Sequence, residues 1–107
     1  MDGYQVTFFT QQSRSHQGKP LVDWLVHLSG ELGLRGVTVI PASIGIGHDH
    51  QLHSAHFFEL SDQPVLVIMV VTAEECARLF VRLETETVKI CYTKAAVTFG
   101  TVGKAPN

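Results

Sequence analysis

Val65-Leu66-Val67-Ile68-Met69-Val70-Val71 is apolar at every position and runs directly into Thr72-Ala73-Glu74-Glu75. An apolar run of this length suits a strand covered on both faces, and it is far short of the roughly 20 residues a bilayer-spanning helix requires. A threonine followed three residues later by a glutamate is the capping-box pattern, so Thr72 is expected at N-cap and Glu75 at N3 of a helix. Cys76, Leu79, Phe80 and Leu83 then recur at i, i+3, i+4 and i+7, one apolar stripe. A buried strand turning sharply into an amphipathic helix is thus the centre of the fold.

Upstream, Ser61-Asp62-Gln63-Pro64 reads as a turn and 55–60 as a return strand. Residues 36–44 have strand character, with Pro41 breaking the ladder or marking a sheet edge, because proline has no N–H to give a neighbouring strand. Between them lies Gly45-Ile46-Gly47-His48-Asp49-His50-Gln51-Leu52-His53-Ser54-Ala55-His56, a loop holding four of the chain's six histidines. At the N-terminal side, 4–10 alternates, with Tyr4, Val6 and Phe8 on one face and Gln5, Thr7 and Phe9 on the other. Residues 11–19 are polar and contain a glycine, which predicts a loop. Pro20 is expected at N1 of a helix carrying Leu21, Trp24, Leu25, Leu28 and Leu32, with Gly33 as its C′ stop. Downstream, intermittent alternation from 88 to 102 predicts two short strands, near 90–92 and 97–101, before a frayed end at 103–107.

The element order is β-α-β-β-α-β with a hairpin inserted after the second strand, the ferredoxin-like split βαβ arrangement of an α+β domain spanning residues 1–107. Two helices cover one face of such a sheet. The strand at 65–71 is apolar on both, so its second face calls for another subunit, and self-association is expected.

Composition narrows the function. The chain has 107 residues, 45% hydrophobic and 17% charged, with formal net charge −2. Nothing in this balance attracts nucleic acid or an anionic membrane. Residues 1–4 lack a basic, apolar leader pattern, so no secretory signal is expected, and cytoplasm is the expected compartment. Cys76 and Cys91 have no CxxC spacing and are expected as reduced, buried small hydrophobes.

The segments Val6-Thr7-Phe8-Phe9-Thr10, Ser13, His16, Gly18-Lys19-Pro20-Leu21, Gly45-Ile46-Gly47, Leu52-His53-Ser54-Ala55, Leu60-Ser61 and Pro64-Val65-Leu66-Val67-Ile68 resemble, in this order and spacing, the small PII-like signal-transduction proteins. The resemblance covers roughly residues 3–85, and its FFT…S..H.GKPL part is the specific one. It implies a homotrimer with small effectors in clefts between subunits, commonly an adenine nucleotide (ADP, AMP or ATP), and bicarbonate as a further candidate. It also implies a T-loop, here 41–63, presented to a membrane transporter or an enzyme, with links to inorganic-carbon uptake, carboxysome function or ion transport. No catalytic activity and no catalytic residue are implied. Where the PII signature has a glycine-rich loop ending in a phosphate-binding lysine, this chain reads Glu84-Thr85-Glu86-Thr87-Val88-Lys89-Ile90, leaving Lys89 and Lys94 as the cations. Gln51 and His56 stand where the close branch usually has arginines. Fewer fixed cations favour AMP, ADP or bicarbonate over a triphosphate.

Individual residues carry these expectations. Ser13, His16, Gly18 and Lys19 feed the first helix, where free N–H groups and the helix dipole favour an anion and Lys19 adds charge. The plainer account is that Ser13 and His16 only cap the helix and hold the loop. Gly45 and Gly47 would let backbone amides approach a phosphate or carboxylate, or else mark a turn or bulge. His53 falls on a position typical of the resembling family and joins the effector set, as does Lys89. His48, His50 and His53 are candidate metal ligands, which keeps open an alternative function as a metal-binding protein of the divalent-cation-tolerance type. Glu74, Glu75, Glu84 and Glu86 read as a capping group and a solvated helix face. The expected partners are further copies of the chain and a regulated target, with no nucleic acid and no direct membrane insertion.

Overall fold

The computed structural model of the chain describes residues 1–46, 52–54 and 62–106. Its elements in order are β1 (Asp2–Gln11), β2 (Ser15–His16), β3 (Lys19–Pro20), α1 (Leu21–Glu31), β4 (Thr38–Pro41), β5 (Ile44–Ile46), β6 (Leu52–Ser54), β7 (Pro64–Thr72), α2 (Ala73–Glu84) and β8 (Cys91–Thr98). Four strands form one sheet in the order β4-β7-β1-β8, every neighbour antiparallel. With two helices in a βαββαβ order this is the expected α+β arrangement, with two short hairpins, β2–β3 and β5–β6, added.

The core lies between one face of the sheet and the helices. Alternation along β7 buries Val65, Val67, Met69 and Val71, and β1 adds Val6 and Phe8 to the same face. Leu21, Trp24, Leu25 and Leu28 of α1 and Cys76 and Leu79 of α2 close over them. The α2 cap forms as expected. The Thr72 hydroxyl accepts from the Glu75 N–H at 3.1 Å while the Thr72 N–H donates to Glu75 Oε1 at 2.8 Å. At the end of α1, Gly33 takes φ 67°, its N–H donates to the Gly30 carbonyl and the Leu34 N–H donates to that of Ser29. That pair of bonds is a Schellman stop with glycine at C′.

The opposite face of the sheet has no cover among the described residues. Across it run two cross-strand rows, Ile40–Leu66–Phe9–Cys91 and Thr38–Ile68–Thr7–Thr93. Leu66, Ile68 and Val70 are half-buried there, and Phe9 and Ile40 are 40% and 41% exposed. Both sides of β7 are therefore apolar as its sequence indicates, and the outer side is the one left open.

Several expectations need correcting. Pro20 is the N-cap of α1, not N1, because its ψ of 136° and its pairing with Ser15 keep it extended. The stretch 11–19 is not plain loop but contains the β2–β3 hairpin. Residues 36–44 are not one strand but divide into β4 and the start of β5; Pro41 ends β4 at the sheet edge, as expected of a residue without an N–H, and the Ala42 N–H turns back to the Pro64 carbonyl. The C-terminal stretch forms one eight-residue strand, β8, paired along β1 from Asp2–Thr98 to Phe9–Cys91, not two short ones. On a sheet edge, β8 has no buried side to impose an apolar alternation, and residues 91–96 are all exposed. Cys91 is therefore exposed as well, while Cys76 is buried. The expected return strand at 55–60 lies outside the described residues.

Candidate functional site

The antiparallel topology gathers several chain segments at one end of the sheet. There β1 ends, β4 ends, β7 and β8 begin, α1 starts and α2 finishes. The Gln12 N–H donates to the Gln63 carbonyl at 2.9 Å, and the Ala42 N–H to the Pro64 carbonyl at 2.8 Å. These two bonds tie the β2–β3 hairpin and the base of the 41–63 segment to the head of β7. Ser13, His16, Gly18, Lys19, Lys89 and the β4–β5 connection leading to Gly45 consequently leave the sheet from the same end.

The hairpin has a defined geometry. Gln17 and Gly18 occupy its two central positions with φ of 53° and 77°, the type I′ signature, whose twist matches the flanking strands. Gly18 is needed for that backbone, and no atom lies close to where its Cβ would stand. The Leu21 N–H closes the loop on the Arg14 carbonyl at 2.8 Å. Neither Ser13 nor His16 caps α1, whose N-cap has no side-chain bond. The Ser13 hydroxyl accepts from Gln11 Nε2 at 3.3 Å, and Lys19 is exposed.

His16 points elsewhere. Its Nε2 lies 3.0 Å from Glu86 Oε1, its ring meets Trp24 edge-on at 4.7 Å, and the His16 and Glu86 side chains are only 9% and 12% exposed. Gln17 Nε2 donates to the same Glu86 oxygen at 3.2 Å, and Arg82 Nε to the other at 3.5 Å. Arg82 also donates to Glu31 at 3.2 Å, and Arg14 Nη2 donates to the Lys89 carbonyl at 2.6 Å. The hydrogen bond from His16 holds the Glu86 carboxyl below its ordinary value, aided by Arg82 and opposed by burial. Glu86 is therefore not part of a solvated face. It is the hub that fastens the hairpin to the segment after α2. The Arg82–Glu86 i,i+4 spacing was the one sequence signal for part of this hub; the His16 and Gln17 contacts had none.

Beside this hub, α2 and the head of β8 enclose an open cleft of about 480 Å³, lined among others by Phe80, Leu83, Val88, Lys89 and Tyr92. Phe80 packs on Tyr92 at 4.8 Å and on Phe8 at 6.4 Å, so the walls are aromatic. Lys89 is the cation of this lining. Lys94, the other expected phosphate partner, instead sets its ammonium over the Tyr4 ring at 4.4 Å, where the π face attracts it.

Gly45 and His53 face each other across the β5–β6 pair, so the loop base does bring these two backbones together. Gly47, His48 and His50 lie outside the described residues. Among the described residues no three His, Cys, Asp or Glu side chains come together as metal ligands. No helix among them is long and apolar enough to cross a membrane.

Comparison with known proteins agrees with this frame. The family model DUF190, described as an uncharacterised ACR, matches residues 3–102. A UPF0166 protein of Aquifex aeolicus (strain VF5) is 31% identical over 72 residues, 67% of this chain and 69% of that protein. A PII-like signalling protein of Thermus thermophilus superposes with a TM-score of 0.67 at 21% identity, over 91% of this chain and 88% of that one. CPII, a nitrogen regulatory PII-like protein of Thiomonas intermedia K12, solved with ADP, AMP and bicarbonate, superposes with a TM-score of 0.59 at 15% identity over 91% and 89% of the two chains. From the matched residues and the shared architecture, the chain belongs to the DUF190 (UPF0166) family and has the fold of the PII-like signalling proteins.

Proposed function

We propose that the protein is a non-enzymatic, PII-like sensor. It acts as a cytoplasmic homotrimer that binds an adenine nucleotide or a small anion such as bicarbonate at subunit clefts, and it controls a transporter or an enzyme through residues 41–63. The observation that carries this reading is the convergence, at one end of the sheet, of the aromatic cleft, the β2–β3 hairpin and the base of the 41–63 segment. The 85–90 stretch that walls the cleft is bonded to Arg14, His16 and Gln17 of the hairpin region, and Gln12 is bonded to Gln63 at the end of the 41–63 segment. A ligand that binds two arrangements of that wall unequally can therefore act on both loops through these bonds.

Two further features support the reading. The open apolar face of the sheet needs a cover, which the proposed assembly with further copies of the chain gives it. The cleft offers stacking surfaces in Phe80 and Tyr92 and the ammonium of Lys89, which suits a flat ring bearing one or two phosphates better than a triphosphate. Solved PII-like CPII held ADP, AMP and bicarbonate, which makes these the first ligands to test.

The test is a thermal-shift series with ADP, AMP, ATP and bicarbonate, with zinc for comparison, confirmed by calorimetry. A ligand bound only by the folded chain adds roughly 2.7 kcal/mol at a hundredfold excess over Kd. Stabilisation by an adenine nucleotide that is lost in Lys89→Ala and Tyr92→Ala supports the cleft. Stabilisation by zinc alone, or by none of these, rejects it.

A further inference from the structure

The Glu86 hub has the form of an occupied anion site. Its three donors come from three places in the fold: His16 on β2, Gln17 in the hairpin turn and Arg82 in the last turn of α2. Together they engage both carboxylate oxygens, in a setting where the His16 and Glu86 side chains are about nine-tenths buried. Gln17 reaches its place from a left-handed backbone position that glycine or asparagine would take more readily, so the turn holds an unfavoured residue whose amide goes to the carboxylate. The carboxylate itself arrives on 85–90, a stretch with neither helix nor strand, and Val88, Lys89 and Ile90 of that stretch wall the cleft.

We propose that Glu86 is an internal ligand. His16, Gln17 and Arg82 form a receptor for a small oxyanion, the chain's own carboxylate keeps it closed, and its opening releases the 85–90 wall of the cleft. The receptor is separate from the cleft and stands whether or not the cleft takes a nucleotide. A tethered carboxylate acts at an effective concentration in the millimolar range or above, so a simple monoanion competes poorly with it. A tetrahedral dianion carries more charge and more acceptors for the guanidinium and the imidazole, and it is the class able to displace Glu86. Arg82 keeps Glu31 as a second partner during the exchange, so the guanidinium is not left unpaired.

The experiment uses the full chain with inorganic phosphate and acetate as probes, read by calorimetry and by the NMR resonances of the His16 ring. Glu86→Ala should bind phosphate at least about tenfold more tightly than the wild-type chain, the scale of one recovered charge-assisted contact. Glu86→Gln should fall between the two, because its neutral amide still fills the receptor but holds it less tightly than the carboxylate. In the wild-type chain phosphate should move the His16 resonances at higher concentration, and acetate should not. A folded Glu86→Ala chain that binds phosphate no better than the wild-type chain overturns the proposal. If Glu86→Ala fails to fold, wild-type His16 resonances unmoved by phosphate overturn it equally.

Discussion

His16 Nε2 lies 3.0 Å from Glu86 Oε1 although the two residues are 70 positions apart in sequence. This contact joins the connection after β1 to the connection after α2, and it does so at the end of the sheet where the candidate cleft opens. A motif residue and a residue from an ordinary acidic stretch thereby become one structural unit.

The contact sets a pH dependence. Because Glu86 is held below its ordinary value of 4.5 in the folded chain, chiefly by His16, the unfolded chain binds more protons in the acid range. Its contribution to stability is complete above the unfolded value and disappears as pH falls through the lower folded one. Thermal melting of the wild-type chain and Glu86→Gln, followed from about pH 6 to about pH 3, should show wild type the more stable at the upper end and the two converging in acid. A constant gap between the curves would contradict this.

The α2 cap is the next point of leverage. Thr72→Ala removes the hydroxyl that accepts the Glu75 N–H and should cost about 1 kcal/mol in urea unfolding, with Thr72→Ser close to wild type. Burial pushes the Glu75 carboxyl up, but the Thr72 N–H, Arg35 and the Thr72 hydroxyl outweigh it and hold the carboxyl low. Glu75 therefore adds to the acid sensitivity and leaves a slope in Glu86→Gln.

Two glycines separate backbone conformation from crowding. At Gly33 a Cβ meets nothing within 4 Å, so Gly33→Ala should cost only the left-handed backbone penalty, about 1 kcal/mol. At Gly3 a Cβ would run into the Val71 carbonyl oxygen and stand 2.8 Å from Phe99 Cε1. Gly3→Ala must displace the β1–β7 pairing and should cost up to about 3 kcal/mol or more. Equal losses in denaturant titrations would refute the distinction.

The open sheet face predicts an assembly defect. Phe9→Glu places a charge at a position 40% exposed in the single chain, so it should leave secondary structure intact. In a trimer packed through this face it buries an unpaired carboxylate and should drive dissociation. Light scattering should find wild type near three times 11.8 kDa and the variant near one. A wild-type monomer would end the trimer proposal.

The sequence by itself determined the parts whose cause is local or periodic. The alternation of β1, the apolar run of β7, the Thr72–Glu75 cap and the Gly33 stop all follow from residue chemistry within a few positions, and each stands in the structure. The element order then fixed the antiparallel α+β frame and the end of the sheet from which the candidate segments leave. Tertiary structure alone decided the rest. The β8 strand was obscured because an exposed edge strand held by β1 needs no apolar alternation. Lys94 was lost to the Tyr4 ring, and Glu86 was raised from a solvated face to a buried hub, because strand pairing and helix packing set those neighbours. Contacts across 70 positions leave no periodic trace in a single sequence, since their partners are chosen by the folded chain.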